Sequence, residues 1–256
     1  MGRIENVFKK KSSGVLNVYF TAGYPSFDST VSIMNALQES GVDIIELGMP
    51  YSDPLADGPV IQDSSSVALN NGMSIAALFN QLKGFRNTIH LPVVLMGYMN
   101  PVLQFGFEKF CAEAAAVGVD ALILPDLPPF EFEEKYSEII KKHNLDFIFL
   151  VTPETSLERI KRLDRLSSGF LYAVSSSSTT GNEKDLNVVT QYLDRLKSME
   201  LKNPIMVGFG IKDKESFDAV NAHANGAIIG SAFINALSKN KDSVEATKSF
   251  ISSVLK

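Results

Sequence analysis

Between Asn17 and Val254, short apolar runs alternate with amphipathic helical stretches about eight times, in units of roughly 30 residues, and this predicts a (β/α)8 or TIM barrel. Two further observations agree. The length of 256 residues suits a single barrel of this kind, and the composition never shifts as it would at a linker. The expectation is one barrel domain over residues 1–256, with an open doubly wound sheet as the rival arrangement.

The elements follow from apolar period and punctuation. Asn6 to Lys11 reads as a short amphipathic lead-in helix. Asn17 to Gly23 is the first strand, ended by Gly23 and Pro25. Asp28 to Ser40 has helical periodicity, with Ser26 or Asp28 as caps. Gly41 to Ile45 is a β-branched second strand, followed by helical segments from Val60 to Arg86. Strands are then expected at Pro92–Met96, Asp120–Leu124, Leu145–Val151, Phe170–Val174, Pro204–Val207 and Gly226–Ile229. Helices are expected at Glu108–Val117, Glu131–His143, Ser156–Leu166 and Leu186–Met199. A short extra helix near Phe233 follows the eighth strand, and a last one covers Ser243–Val254.

One stretch carries more information than the rest. Glu46-Leu-Gly-Met-Pro-Tyr-Ser-Asp-Pro-Leu-Ala-Asp57-Gly-Pro59 follows the second strand. Alternation places Val42, Ile44 and Glu46 on one face, so a carboxylate continues an apolar face or caps the strand's open end. Pro50, Pro54 and Pro59 stiffen the loop, each fixing φ and removing a donor. Gly58-Pro59 reads as a helix entry with Pro at the first helical position. Taken singly, these are a strand cap and turn-forming Asp-Pro and Asp-Gly pairs. The alternative reading of the same residues is a general acid/base at Glu46 and a fixed anionic partner at Asp57.

In a barrel the active site lies at the C-terminal ends of the strands. Three late ends are glycine-rich: Thr180-Gly181, Gly208-Phe-Gly210 and Gly230-Ser231. Glycine admits close approach of an anion, and a helix N-terminus aims partial positive charge at it. Gly230-Ser231 leads into a short helix, the arrangement in which barrels often hold phosphate. Ordinary βα turns also use glycine, so the signal lies in three neighbouring units sharing it. Tyr172 has the parity to face inward, and Tyr19, Phe20, Met96, Tyr98 and Leu124 are candidate walls for an aromatic substrate, with core packing the alternative.

Other chemistries lack their residues. No predicted strand carries the lysine that a Schiff-base aldolase needs, and His90, His143 and His223 are scattered, so no metal site is expected. A net charge of −5 without a basic stripe argues against nucleic acid, leaving Lys9-Lys10-Lys11 as a solvated helix end. Hydrophobic content of 45% is ample for a core, yet no run of roughly 18 apolar residues could span a bilayer. The single Cys111, read as a packing residue, suits a reducing cytosol, and the N-terminus lacks a signal peptide's apolar core. A cytoplasmic protein is expected.

The stretch from Glu46 to Pro59 resembles the signature loop of the tryptophan synthase alpha subunit, and the resemblance runs from Asn6 to the last helix. It implies retro-aldol cleavage of indole-3-glycerol phosphate to indole and glyceraldehyde 3-phosphate. It places proton transfer at Glu46, the indole N–H at Asp57, the pocket wall at Tyr172, and phosphate at Gly181, Gly210, Gly230 and Ser231. It also implies an α2β2 complex with a pyridoxal-phosphate beta subunit, no cofactor in this chain, and a partner face at Pro50, Asp53, Asp126 and Pro128. Ser175-Ser-Ser-Ser-Thr-Thr-Gly181 departs from the pattern. Ser176 and Ser178 stand where the family's closing lid commonly has Arg and Gly, while Thr180, whose family position bonds to the second carboxylate, is kept. The altered lid leaves open a stand-alone lyase releasing free indole, or a catalytically weak barrel that regulates a beta subunit.

Overall fold

The computed structural model describes residues 2–174 and 186–256. Its strands are β1 (Val15–Thr21), β2 (Ile44–Gly48), β3 (Val93–Met96), β4 (Ala121–Ile123), β5 (Asp146–Phe147), β6 (Leu150–Val151), β7 (Leu171–Ala173), β8 (Ile205–Val207) and β9 (Gly226–Ile229). All pairings are parallel, in the order β5-β4-β3-β2-β1-β9-β8-β7-β6. The two outermost members, β5 and β6, are one extended segment with two residues between them. Ile148 N–H donates to Leu122 O and Tyr172 N–H to Phe149 O, each at 3.0 Å. The sheet therefore closes on itself as eight strands, and the open doubly wound alternative is excluded.

Closure gives each strand two buried faces, which is why the strands read as nearly continuous apolar runs. Val15, Ile44, Val94, Ile123, Ile148, Phe170, Met206 and Ile228 fill the interior. The lead-in helix Arg3–Lys10 plugs the N-terminal end: Ile4 is fully buried in that cluster, with Val7 and Phe8 packed against it. The alternate residues meet the surrounding helices, as where Phe20 stands edge-on to Phe233 with ring centroids 6.2 Å apart. Phe20 is thus a core residue and not a pocket wall. Cys111 is fully buried among helix-facing residues, and burial pushes its thiol up to about 12.

Several elements differ from the sequence reading. Asp28 is the N-cap of helix Ser29–Glu39 but makes no side-chain cap bond; Ser29 Oγ donates instead to Ser26 O and Tyr24 O, at 2.6 and 2.9 Å. The stretch expected as one helix from Glu131 has a π-helical turn at Phe132–Tyr136, which leads into helix Ser137–Lys142. Two helices had not been expected, Met99–Phe105 and Lys214–Asn221. Among the described residues, no helix is long and apolar enough to cross a membrane.

Candidate active site

Glu46 is the third residue of β2, with Ile44 directed into the barrel two positions earlier. Alternation carries its side chain to the interior, where it is fully buried rather than capping the strand end. Asn17 Nδ2, from β1, donates to Oε2 at 2.7 Å, while Oε1 has no partner among the described residues. Burial raises the carboxyl to about 8; the Asn17 bond lowers it and the nearby Asp57 raises it. At neutral pH Glu46 therefore holds a proton that it can give away.

Asp57 is brought to the same mouth by the loop. Pro59 is the first residue of helix Pro59–Asn70, with Gly58 as N-cap, as expected from Gly58-Pro59. Asp57 N–H donates to Pro54 O at 3.2 Å and Gln62 Nε2 to Asp57 O at 2.7 Å, so the turn is tied to the helix it opens. The side chain is buried; burial raises it to about 6, and a hydrogen bond with Tyr98 pulls it back down. Tyr98 is more than a wall. Its hydroxyl accepts Ala56 N–H at 3.1 Å, tying it to the loop, and faces the Asp57 carboxylate, whose pKa it draws down. Below it, the buried Thr21 and Ser64 hydroxyls lie 2.6 Å apart and pin the helix to β1.

Tyr19 and Tyr172 complete the interior around the carboxylates. Burial holds both phenols well above their usual range, with Glu46 and Asp57 adding to the shift. Each ring lies over a strand-end glycine. A Cβ at Gly48 would fall 2.2 Å from the Tyr19 hydroxyl, and one at Gly208 would fall 2.2 Å from Tyr172 Cε2. Met96 is half-buried and faces the same interior. Leu124 does not: Ile123 takes the inward position, so Leu124 points into the layer between strands and helices.

Gly210 and Gly230 follow the neighbouring strands β8 and β9. Gly210 has φ +71° with open space where a Cβ would stand. Gly230 is the N-cap of helix Ser231–Lys239 and makes no side-chain cap bond, so the helix opens without a competing oxygen. A Cβ at Gly230 would lie 3.4 Å from the Tyr19 ring, which sets this end beside the carboxylate mouth. Thr180, Gly181, Ser176 and Ser178 lie outside the described residues.

At the rim, Asp53, Asp126 and Pro128 are exposed and Pro50 is half-exposed. The Asp126 carboxylate accepts Met99 N–H at 3.0 Å, and Asn100 Nδ2 donates to Tyr51 Oη at 3.0 Å, joining three βα loops. Sequence reasoning passed over Leu55, which is 94% exposed on the same loop as Asp57. Among the described residues, no three His, Cys, Asp or Glu side chains group as metal ligands.

Fold and site together define a (β/α)8-barrel enzyme with paired carboxylates at its mouth and glycine-rich turns beside them. The family model for the tryptophan synthase alpha chain matches residues 6–254. A tryptophan synthase alpha chain of Parabacteroides distasonis is 50% identical over 247 residues, covering 96% of each chain. The tryptophan synthase alpha subunit of Legionella pneumophila superposes with a TM-score of 0.90 at 38% identity, over 99% of this chain and 97% of that one. A chain of the tryptophan synthase complex of Pyrococcus furiosus gives 0.86 at 36% identity, over 95% and 98%. The chain belongs to the tryptophan synthase alpha chain family, the carbon–carbon lyases of tryptophan biosynthesis. That membership decides for the alpha-chain reading over a stand-alone lyase or a regulatory barrel.

Proposed function

We propose that this chain, acting as one barrel domain in the cytoplasm, cleaves indole-3-glycerol phosphate to indole and glyceraldehyde 3-phosphate, and passes indole to a pyridoxal-phosphate beta subunit in an α2β2 complex. The bond that breaks joins indole C3 to the glycerol chain. Indole C3 must gain a proton while the adjacent glycerol hydroxyl loses one. Glu46, protonated at neutral pH, gives a proton and, once ionised, can take one. Asp57, held by Tyr98, would accept a hydrogen bond from the indole N–H and stabilise positive charge growing on the ring. Gly181, Gly210, Gly230 and Ser231 would hold the phosphate through backbone donors, supplying remote binding energy that orients the bond. Tyr19, Tyr172 and Met96 would form the slot for the ring.

This chemistry draws on the substrate's own indole as electron acceptor, so the reading assigns this chain no cofactor or metal. The partner would sit on the rim formed by Pro50, Asp53, Asp126 and Pro128, and the exposed Leu55 adds apolar surface there. The reading leaves nucleic acid and membrane without a role.

The observation that carries the reading is a fully buried glutamate raised to about 8 beside a second buried carboxylate at the barrel mouth. Indole release from indole-3-glycerol phosphate, measured with and without a beta subunit, tests it. Release by the chain alone, increased by the partner, is expected; no release in either case would overturn the assignment.

A further inference from the structure

Asn17 is a polar residue on the inward face of β1 that the chemistry above leaves without a task. Its register partners are Ile44 on β2 and Ile228 on β9, both part of the apolar interior. The side chain is fully buried. An amide in such a place is destabilising unless it is hydrogen-bonded, and a leucine of similar size would avoid that cost. Among the described residues its one bond goes from Nδ2 to Glu46 Oε2, at 2.7 Å. Asn17 Oδ1 and Glu46 Oε1 both remain without partners among the described residues. The pair therefore has one bond made and one oxygen to spare on each side.

We infer that Asn17 is a positioning residue for Glu46: its amide fixes the carboxyl and serves as partner in both protonation states. Toward the carboxylate it donates through Nδ2, as seen. Toward the acid it turns over and accepts the O–H through Oδ1. The spare oxygens are what this exchange requires. The proton itself moves only between Glu46 and substrate, and Asn17 neither gains nor loses one. Leucine offers neither role, and aspartate would add a charge beside the carboxylate.

The other carboxylate facing Glu46 pushes the opposite way. Asp57 from the loop after β2 raises its pKa, while Tyr19 from β1 and Tyr172 from β7 are buried phenols that the Glu46 charge raises in turn. Among them no cation offsets burial, so the Asn17 bond is the influence that draws the carboxyl down.

The inference rests on the proposed role of Glu46, so Glu46→Gln is measured alongside. Asn17→Leu and Asn17→Ser are compared with the native chain in the complex, by the pH profile of kcat/KM and by glycerol 3-phosphate affinity. Asn17→Leu is expected to lower kcat about tenfold and to move the Glu46 limb upward by about one pH unit. The direction is the same whether Glu46 must start protonated or ionised, because its pKa rises in either case. Glycerol 3-phosphate affinity should change by less than about twofold, and Asn17→Ser should shift the limb less, since a hydroxyl keeps one polar partner in reach. A fall in kcat with the limb unmoved would mean a structural role and overturn the inference, as would unchanged kinetics while Glu46→Gln is inactive. Failure of both variants to fold would assign Asn17 to the core and overturn it too. Turnover retained by Glu46→Gln would instead remove the role proposed for Glu46, and this inference with it.

Discussion

At the scale of single residues, the cost of the chemistry proposed for Glu46 is visible in its burial. Burial raises its carboxyl from 4.5 to about 8, so the folded chain holds a proton that the unfolded chain releases. Stability from this group is complete below pH 4.5 and is lost progressively as pH rises to about 8. Asp57 adds a loss of the same sign between 3.8 and about 6. Glu46→Gln removes the larger of the two. It should match the native chain in thermal midpoint near pH 5 and exceed it above pH 8, while losing roughly 10²–10⁴ in turnover. Thermal melts across pH and single-turnover cleavage check the two halves separately; near-normal turnover in the folded variant would sink the assignment. Asp57→Asn should slow cleavage by roughly 10²–10³ if its task is transition-state charge. An effect on KM alone would make Asp57 a binding residue.

At the scale of elements, the loop after β2 works because three other elements hold it. Tyr98 reaches it from the end of β3, Thr21 from the end of β1, and helix Pro59–Asn70 carries the Ser64 that Thr21 meets. Tyr98→Phe should remove the donor to Asp57 and the acceptor for Ala56 N–H together. Its expected result is a rise in the Asp57 pKa and a loss of roughly tenfold in kcat, read from the pH–rate profile of the complex; an unshifted profile would show that Asp57 is held by other means. These supports explain what the sequence did and did not disclose. Glu46, Asp57 and Pro59 were legible because parity and proline geometry are local rules. Tyr98 read only as a wall, since its partner lies on another strand's loop. Asn17 gave no signal, because a polar residue in an apolar strand gains meaning only from the neighbouring strand. Leu124 was misplaced by one step of alternation, the error to which short strands are most prone. Helix Lys214–Asn221 was overlooked although Asp213 and Ser216 form a capping box at its start. That cap, with Phe217 and Val220 as its buried side, was present in the residues.

At the scale of the whole molecule, the barrel separates stability from chemistry by its two ends. The C-terminal mouth gathers buried carboxylates, phenols and uncapped turns, none of which a stable core would choose. The N-terminal end is closed by apolar packing and ion pairs. Arg3 meets Asp120 at 2.9 Å, and Arg86 reaches the same carboxylate and also donates to Leu91 O at 2.6 Å. Ile4 is the centre of that closure: it is fully buried, and a Cβ at Gly169 would lie 3.2 Å from its Cγ2. Ile4→Ala should therefore cost about 2–5 kcal/mol of stability by opening a cavity beneath the strands. The mouth lies at the opposite end, so glycerol 3-phosphate affinity and KM should stay within about twofold below the melting transition. Ser231→Asp gives the mirror-image result, because its charge changes a turn proposed to hold phosphate on an exposed first helical residue, so substrate affinity should fall while stability moves by only about 1 kcal/mol or less. Gly210→Val should also lower affinity, but valine at a φ of +71° adds about 1–3 kcal/mol of backbone strain. Equilibrium denaturation and glycerol 3-phosphate titration of the three variants test this division directly. A loss of affinity in Ile4→Ala comparable to that in Ser231→Asp would show that packing at the closed end sets the geometry of the mouth, and that the two ends are coupled.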